Sequence, residues 1–197
     1  GRTHKINLSS LKECLDDTCI NVQYIDTNEQ AADIFTKALP PQKWYKALCL
    51  LGMRTDIREP KPSLRDRSFS DILKPINDLA TKVQAWTRVH DKKLLRLIQY
   101  LQYSLDYRLT ASCQDDPKDL RLELYVDADF GGDSGDVKST SCGFLTLKGP
   151  NTFFPLAWIS KRQTSTSRST TESEVVSLAH SLYQEGIPAL QLWEKLL

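Results

Sequence analysis

The chain has 197 residues, of which 40% are apolar and 26% charged, and its formal net charge is +1. This composition is typical of a globular protein with a buried core. No apolar run approaches the ~20 residues that a membrane span needs, and no N-terminal stretch has the features of a signal peptide. The five cysteines include no Cys-x-x-Cys pair. We therefore expect reduced thiols in an intracellular protein, cytoplasmic or nuclear, without a zinc site.

The charge is unevenly distributed along the chain. Residues 54–110 contain 12 Lys and Arg against 7 Asp and Glu, a net charge of +5, and the remainder carries −4. A basic stretch of this kind either faces nucleic-acid phosphates or is a solvated helix surface, and the acids interleaved with the bases favour the second interpretation.

In the first half of the chain, apolar spacing and Pro or Gly boundaries predict mostly helices. Residues 54–75 hold three prolines among charges and resemble a linker. The long helix predicted after this segment, over 77–103, is expected to break near Thr87. The predicted elements are a helix over 7–15, a strand over 20–25, helices over 27–38 and 41–51, and a long helix over 77–103.

The second half is predicted to be rich in strands. After a polar loop at 111–119, apolar and polar residues alternate in three segments separated by Gly-containing turns, which indicates three antiparallel strands. A helix with an apolar stripe follows and is interrupted near Gly186 and Pro188. The predicted elements are strands over 121–127, 142–147 and 153–160, and a helix over 172–184 that buries Val175, Leu178, Ala179 and Leu182.

Acidic residues stand at two positions that suit metal binding. Asp127 and Asp129 end a short apolar strand before a Gly-rich turn, and Glu172 and Glu174 open a helix. Carboxylates gathered in this way are the oxygen ligands that Mg²⁺ prefers. The pattern points to phosphoryl chemistry on nucleic acid.

Four motifs carry a family resemblance. Residues 125–129 (YVDAD), 138–144 (KSTSCGF), 160–163 (SKRQ) and 169–174 (STTESE) resemble the ribonuclease H domain of copia-type retrotransposon polyproteins. Residues 24–37 (YIDTNEQAADIFTK) resemble the last motif of the same domain, yet here they come first. The resemblance implies an α/β fold, a ribonuclease H-like mixed sheet flanked by helices. It also implies a rearrangement, either circular permutation within one chain or fragments of successive element copies, and we favour the first.

The resemblance also implies the roles of individual residues. Asp127, Glu174 and Asp33 match the catalytic, metal-binding carboxylates, and Asp129 is a nearby second acid. Mg²⁺, or Mn²⁺, is the implied cofactor, and the RNA strand of an RNA–DNA hybrid is the implied substrate. The side chains expected to contact the hybrid are Lys161, Arg162, Arg168, Ser139, Thr140 and Ser141.

Each acid also has a structural interpretation. Glu174 can close a capping box with Thr171, as Glu172 can with Ser169. Asp127 and Asp129 can be turn residues. Asp33, taken alone, is typical of a charge on a helix surface. Only the joint appearance of the motifs raises the metal-site hypothesis above these alternatives.

One expected element is missing from the order of motifs. The second aspartate of the family follows the helix that ends near Leu197, and that segment has no counterpart here. We therefore expect impaired hydrolysis, or alternatively a domesticated or relic domain that serves as a noncatalytic structural or binding subunit. A sheet that lacks a strand also invites another protein chain to complete it. The expected divisions are 1–53 (C-terminal ribonuclease H-like piece), 54–76 (linker), 77–110 (helical connection) and 111–197 (N-terminal, strand-rich piece).

Overall fold

The structure is a computed structural model that describes residues 7–36, 39–55, 70–131, 137–164 and 166–196. Its regular elements are α-helices and antiparallel strands, with short 3₁₀ helices at Ser70–Ile72, Val83–Ala85 and Pro117–Asp119. The helices are α1 (Leu8–Leu15), α2 (Asp33–Thr36), α3 (Pro41–Leu50), α4 (Leu73–Ala80), α5 (Arg88–Tyr103), α6 (Thr170–Ser181) and α7 (Ile187–Leu196). The strands are β1 (Met53–Thr55), β2 (Tyr107–Leu109), β3 (Arg121–Asp129), β4 (Thr140–Lys148) and β5 (Phe153–Arg162).

Within the described residues, the main sheet has three antiparallel strands in the order β3-β4-β5. Asp127 lies opposite Cys142, which in turn lies opposite Ser160. The register shifts between Leu145 and Thr146, where β5 contains Pro155, a residue that cannot donate to the ladder. The three strands predicted from alternation are confirmed, and each extends one or two residues beyond at least one predicted end.

Helix α6 packs on one face of this sheet through serines rather than through the predicted apolar stripe. Ser173, Ser177 and Ser181 recur every four residues and are fully buried. A side chain on Gly143 would meet the Ser181 hydroxyl at 2.6 Å, so the helix lies unusually close to β4. Small residues on both sides allow this approach.

Part of the predicted stripe is still buried, at the far end of α6. Ala179 and Leu182 pack with Leu11 of α1, and this second cluster also contains Val175. The chain then passes through one π-helical turn, Leu182–Gly186, into α7, which is the interruption predicted near Gly186.

The opposite face of the sheet is covered by α2 and α3. Phe35 and Phe144 are fully buried with ring centroids 6.4 Å apart, and they join residues of the first 55 positions to the sheet. The buried members of this main core are Ala31, Ala32, Ile34, Phe35, Ala47, Leu48, Leu51, Met53, Cys142 and Phe144. The molecule therefore has three layers, with the sheet between two layers of helices, as an α/β fold requires.

Two predicted elements are corrected. Residues 20–25 form no strand, and the side chains of Val22 and Tyr24 are 59% and 91% exposed. In the predicted helix over 27–38, the described residues contain only the single turn Asp33–Thr36. Before it, the Asp26 carboxylate accepts a hydrogen bond from the Asn28 amide at 2.9 Å, which favours a turn over a helix.

The region between the two halves is more ordered than a linker in its described part. Helix α4 begins at Leu73, inside the predicted linker, and β1 pairs with β2, with Met53 opposite Leu109. The break near Thr87 is confirmed, because the Thr87 amide donates to Nδ1 of His90 at 2.9 Å and caps α5. Residues 56–69 of the predicted linker lie outside the described residues. Within the described ranges, every helix is too short or too polar to cross a membrane.

Candidate functional site

The segment around α2 contacts the strand that carries Asp127. Gln30 donates from Nε2 to the Val126 carbonyl oxygen at 2.9 Å, and the Thr36 hydroxyl donates to the Asp127 carboxylate. The same hydroxyl lies 3.1 Å from the Asp33 carbonyl oxygen. The motif that comes first in the chain is therefore bonded to the motif that comes 91 residues later.

The Phe35 carbonyl of α2 holds the other two strands. It accepts from the Cys142 thiol at 3.0 Å and from the Ser160 hydroxyl at 3.1 Å. Burial raises the pKa of the Cys142 thiol to about 12, although its partner at Ser160 lowers it. The thiol is therefore protonated at neutral pH and able to donate. One helical turn is thus bonded to β3, β4 and β5.

The structure decides between the interpretations of two acids. Asp33 is 4% exposed and Asp127 is 7% exposed, so Asp33 is not a surface charge. Asp127 lies within β3 rather than in a turn. Both residues lie on the α2 side of the domain, since Asp127 points toward Thr36.

Helix α6 begins with a cap that involves Glu172, not Glu174. The Ser169 hydroxyl accepts from the Glu172 amide at 3.1 Å, and the Glu172 carboxylate accepts from the Arg168 amide at 2.6 Å. Capping by Thr171 and Glu174 is therefore wrong, and Glu174 lies in the second turn of the helix. Because α6 covers the face opposite α2, Glu174 belongs to the other layer from the Asp127 side chain.

Asp129 has a lysine as its neighbour. The Lys74 ammonium group lies 3.8 Å from the Asp129 carboxylate and 3.1 Å from that of Asp78, and it is 18% exposed. Asn77 of the same helix donates to the Ser160 carbonyl oxygen at 2.8 Å, which anchors α4 beside the strand ends. Sequence reasoning missed Lys74, although its spacing of four from Asp78 is a signal for a helical ion pair.

A buried glutamine fixes the loop between β5 and α6. Gln163 is 5% exposed, and its Nε2 donates to the Ser141 hydroxyl and to the Ser173 carbonyl oxygen, both at 3.0 Å. The side-chain Oε1 of Gln163 accepts from the Ser167 hydroxyl at 2.9 Å, and its backbone N–H donates to the Ser139 carbonyl oxygen at 2.8 Å. Gln163 therefore positions the start of α6 relative to β4.

This network bears on the side chains predicted to contact nucleic acid. Ser139, Thr140 and Ser141 are at most 8% exposed, and Ser141 accepts from Gln163. Lys161 and Arg168, in contrast, are exposed, and Arg162 is half-buried. The contact with a hybrid remains a prediction for all six residues.

The metal-binding role of Asp127, Glu174, Asp33 and Asp129 remains a prediction. The Asp127 carboxylate accepts from Thr36, Asp129 faces the Lys74 ammonium group, and Glu174 belongs to the opposite layer. Among the described residues, no three His, Cys, Asp or Glu side chains are grouped so as to hold a metal ion.

Comparison with known proteins gives two similar sequences. The chain is 31% identical over 129 residues, or 64% of its length, to the retrovirus-related Pol polyprotein from transposon RE2 of Arabidopsis thaliana. The same identity and coverage hold for the polyprotein from transposon RE1 of that plant. The chain is similar to retrotransposon Pol polyproteins, and the matched region is 8% of each. No protein-family model matches the chain. No solved structure matches it either.

Proposed function

We propose that this chain is a ribonuclease H-like domain, derived from a retrotransposon Pol polyprotein, that binds RNA–DNA hybrids and hydrolyses them weakly or not at all when isolated. The observation that carries the proposal is the bonding of α2 to all three strands of the main sheet. The hydrogen bonds of Gln30, Phe35 and Thr36 reach β3, β4 and β5 from a segment that precedes them in the chain.

These contacts support a rearranged domain rather than two unrelated fragments. An unrelated segment would leave buried polar groups on the sheet without partners, at a cost of about 1–3 kcal/mol each. Here the Val126 carbonyl, the Asp127 carboxylate and the Cys142 thiol all find partners in the α2 segment. A chain cut and rejoined elsewhere keeps its fold when its original ends lie close together.

The arrangement of the acids supports weak hydrolysis. A two-metal centre needs carboxylates that share their ions, and its ions stabilise transition-state charge by several kcal/mol. Asp129 lies beside the Lys74 ammonium group, whose positive charge competes with a metal ion for that carboxylate, and Asp127 accepts from the Thr36 hydroxyl. Mg²⁺ or Mn²⁺ is the ion that the family resemblance implies for this hydrolysis.

A second function is favoured by one observation. The Lys74 ammonium group at Asp129 supplies positive charge from within the chain. A domain stabilised in this way has no need of a metal ion for its fold, which suits a noncatalytic structural or binding subunit.

The test is hydrolysis of a fluorescently labelled RNA–DNA hybrid with Mg²⁺ and, separately, with Mn²⁺. We expect turnover at least ~10²-fold below that of an intact ribonuclease H, since loss of one group that stabilises transition-state charge costs ~10²–10³-fold. Asp127→Asn is the matched control. Robust metal-dependent cleavage that Asp127→Asn abolishes would refute weak catalysis, and hydrolysis equal in the variant would indicate a contaminating nuclease.

A further inference from the structure

Helix α5 has an exposed basic ridge that the candidate site does not use. Arg88, Lys92 and Arg96 follow one another every four residues, and all three are exposed. At about 100° per residue, these side chains and those of Gln99 and Tyr103 fall within about 80° of arc. Tyr103 is 80% exposed. We call Arg88, Lys92, Arg96, Gln99 and Tyr103 the α5 ridge.

Tyr100, one turn beyond Arg96, holds α5 against the rest of the domain. The Tyr100 hydroxyl donates to the buried Asp71 carboxylate, and the Tyr100 ring packs edge-on against Trp44, with centroids 5.9 Å apart. None of the 16 residues of α5 is buried. The contacts of Tyr100 thus fix the orientation of α5, while the side chains of the α5 ridge remain in solvent.

The acid of α5 does not neutralise the ridge. Asp91 accepts from Trp86 Nε1 at 2.8 Å, and its position on the helix is about 60° or more from each ridge residue at 100° per residue. The ridge itself contains cations, an amide and a phenol. These groups donate hydrogen bonds to anions and present an aromatic face.

We propose that the α5 ridge binds the sugar–phosphate backbone of nucleic acid. Four-residue steps at 1.5 Å per residue place Arg88 and Arg96 about 12 Å apart along the helix axis. A duplex strand advances about 3.4 Å per phosphate, so three or four phosphates lie along this length. Gln99 extends the ridge with a further donor, and Tyr103 offers a ring for a base or sugar.

The distribution of charge favours nucleic acid over a membrane surface. Leu94, Leu95 and Ile98 are 38%, 55% and 42% exposed on a neighbouring arc. A helix that lies in a membrane interface carries its cations beside a broad apolar face that is buried in lipid. Here the cations form a single row between Leu94, Leu95 and Ile98 on one side and Val89, which is 61% exposed, on the other. A single row of cations is the linear arrangement that follows a phosphate backbone.

This inference rests on the proposed function, because the probe is the RNA–DNA hybrid that the proposed function implies. The experiment measures anisotropy of a labelled 18-base-pair hybrid with the full chain in EDTA, so that binding is read without metal-dependent cleavage. Between 50 and 200 mM salt, three phosphate contacts contribute a slope of about −2.7 to log K against log[salt].

The test variant is Arg88→Gln/Lys92→Gln/Arg96→Gln. We expect its affinity at low salt to fall at least ~10-fold and its salt slope to become shallower by about 2–3, near one per lost contact. The matched control, Lys12→Gln/Lys43→Gln/Lys195→Gln, removes the same net charge from exposed positions on α1, α3 and α7. Urea unfolding of both variants verifies that each is folded.

Three results would overturn the inference: no binding at 50 mM salt, an unchanged slope in the ridge variant, or equal weakening in the control. Loss of binding to vesicles of 70:30 phosphatidylcholine and phosphatidylserine, with hybrid affinity unchanged, would assign the ridge to membranes instead. Hybrid binding through the ridge supports the inference whatever the catalytic result. Hydrolysis that does not depend on the ridge would leave the proposed function standing alone.

Discussion

Replacing Gly143 by alanine tests the close approach of α6 to the sheet. The new methyl group would lie 2.6 Å from the Ser181 hydroxyl oxygen and 3.0 Å from Ser181 Cβ. Both distances are shorter than a normal contact between these atoms, so the helix or the strand has to move. Overpacking of this kind costs about 1–3 kcal/mol.

An effect on the unfolded chain offsets part of this loss of stability. Alanine restricts the unfolded chain more than glycine does, which stabilises the folded state by about 0.4–1 kcal/mol. Taking the middle of each range leaves Gly143→Ala less stable than the parent chain by about 1.3 kcal/mol. In urea, with a slope near 2 kcal/mol/M, the unfolding midpoint falls by about 0.5–1 M.

A double-mutant cycle with Ser181→Ala identifies the cause. Ser181→Ala alone loses little, because its hydroxyl lies a long 3.5 Å from the Cys142 carbonyl oxygen. It removes the 2.6 Å contact, so the double variant should recover at least ~0.5 kcal/mol of the loss. A Gly143→Ala chain as stable as the parent, or a double variant with additive losses, would refute the packing argument.

Three other predictions use the same unfolding measurements. Thr36→Val should cost about 1–3 kcal/mol, because it leaves the buried Asp127 carboxylate without that donor; a loss below ~0.5 kcal/mol contradicts the site geometry. Burial raises the pKa of Glu123, but hydrogen bonds from Tyr125, Lys148 and Arg121 together lower it by more. The net pKa of Glu123 is therefore below its usual value. Its contribution to stability is present above the unfolded-state pKa near 4.3 and is lost as pH falls through the lower folded-state pKa. Glu123→Gln should therefore flatten this acid limb of the stability profile. Cys142, fully buried with a pKa of about 12, should resist a thiol reagent at pH 8 until urea unfolds the chain, whereas immediate labelling would contradict its burial.

The strand-rich half was predictable because its signals are local. Alternating side chains and Gly-containing turns specify β3, β4 and β5 within short windows, and the structure confirms them. The break at Thr87 is equally local. The serine face of α6 was missed because sequence patterns rank Val175 and Leu178 above serine for burial. Gly143 on the facing strand was the available signal for a close approach.

The surroundings of the acids were not predictable in the same way. Thr36 and Asp127 are separated by 91 residues, and nothing in either segment specifies their hydrogen bond. The sequence pattern also predicted a linker at Lys74, so the position of Lys74 beside Asp129 could not be predicted. The one-turn helix α2 is stabilised by tertiary contacts of Phe35 rather than by its own propensity, which is marginal for so short a segment.

The contacts of α2 with the strands also bear on what happens if the backbone is cut. The side-chain bonds of Thr36 and the pairing of Met53 with Leu109 join the part before residue 56 to the part after residue 69. A protease nick between these positions would turn one folding unit into two polypeptides that share a core. Their association would then follow mass action, and the melting temperature would rise with protein concentration, as it does for a dissociable dimer.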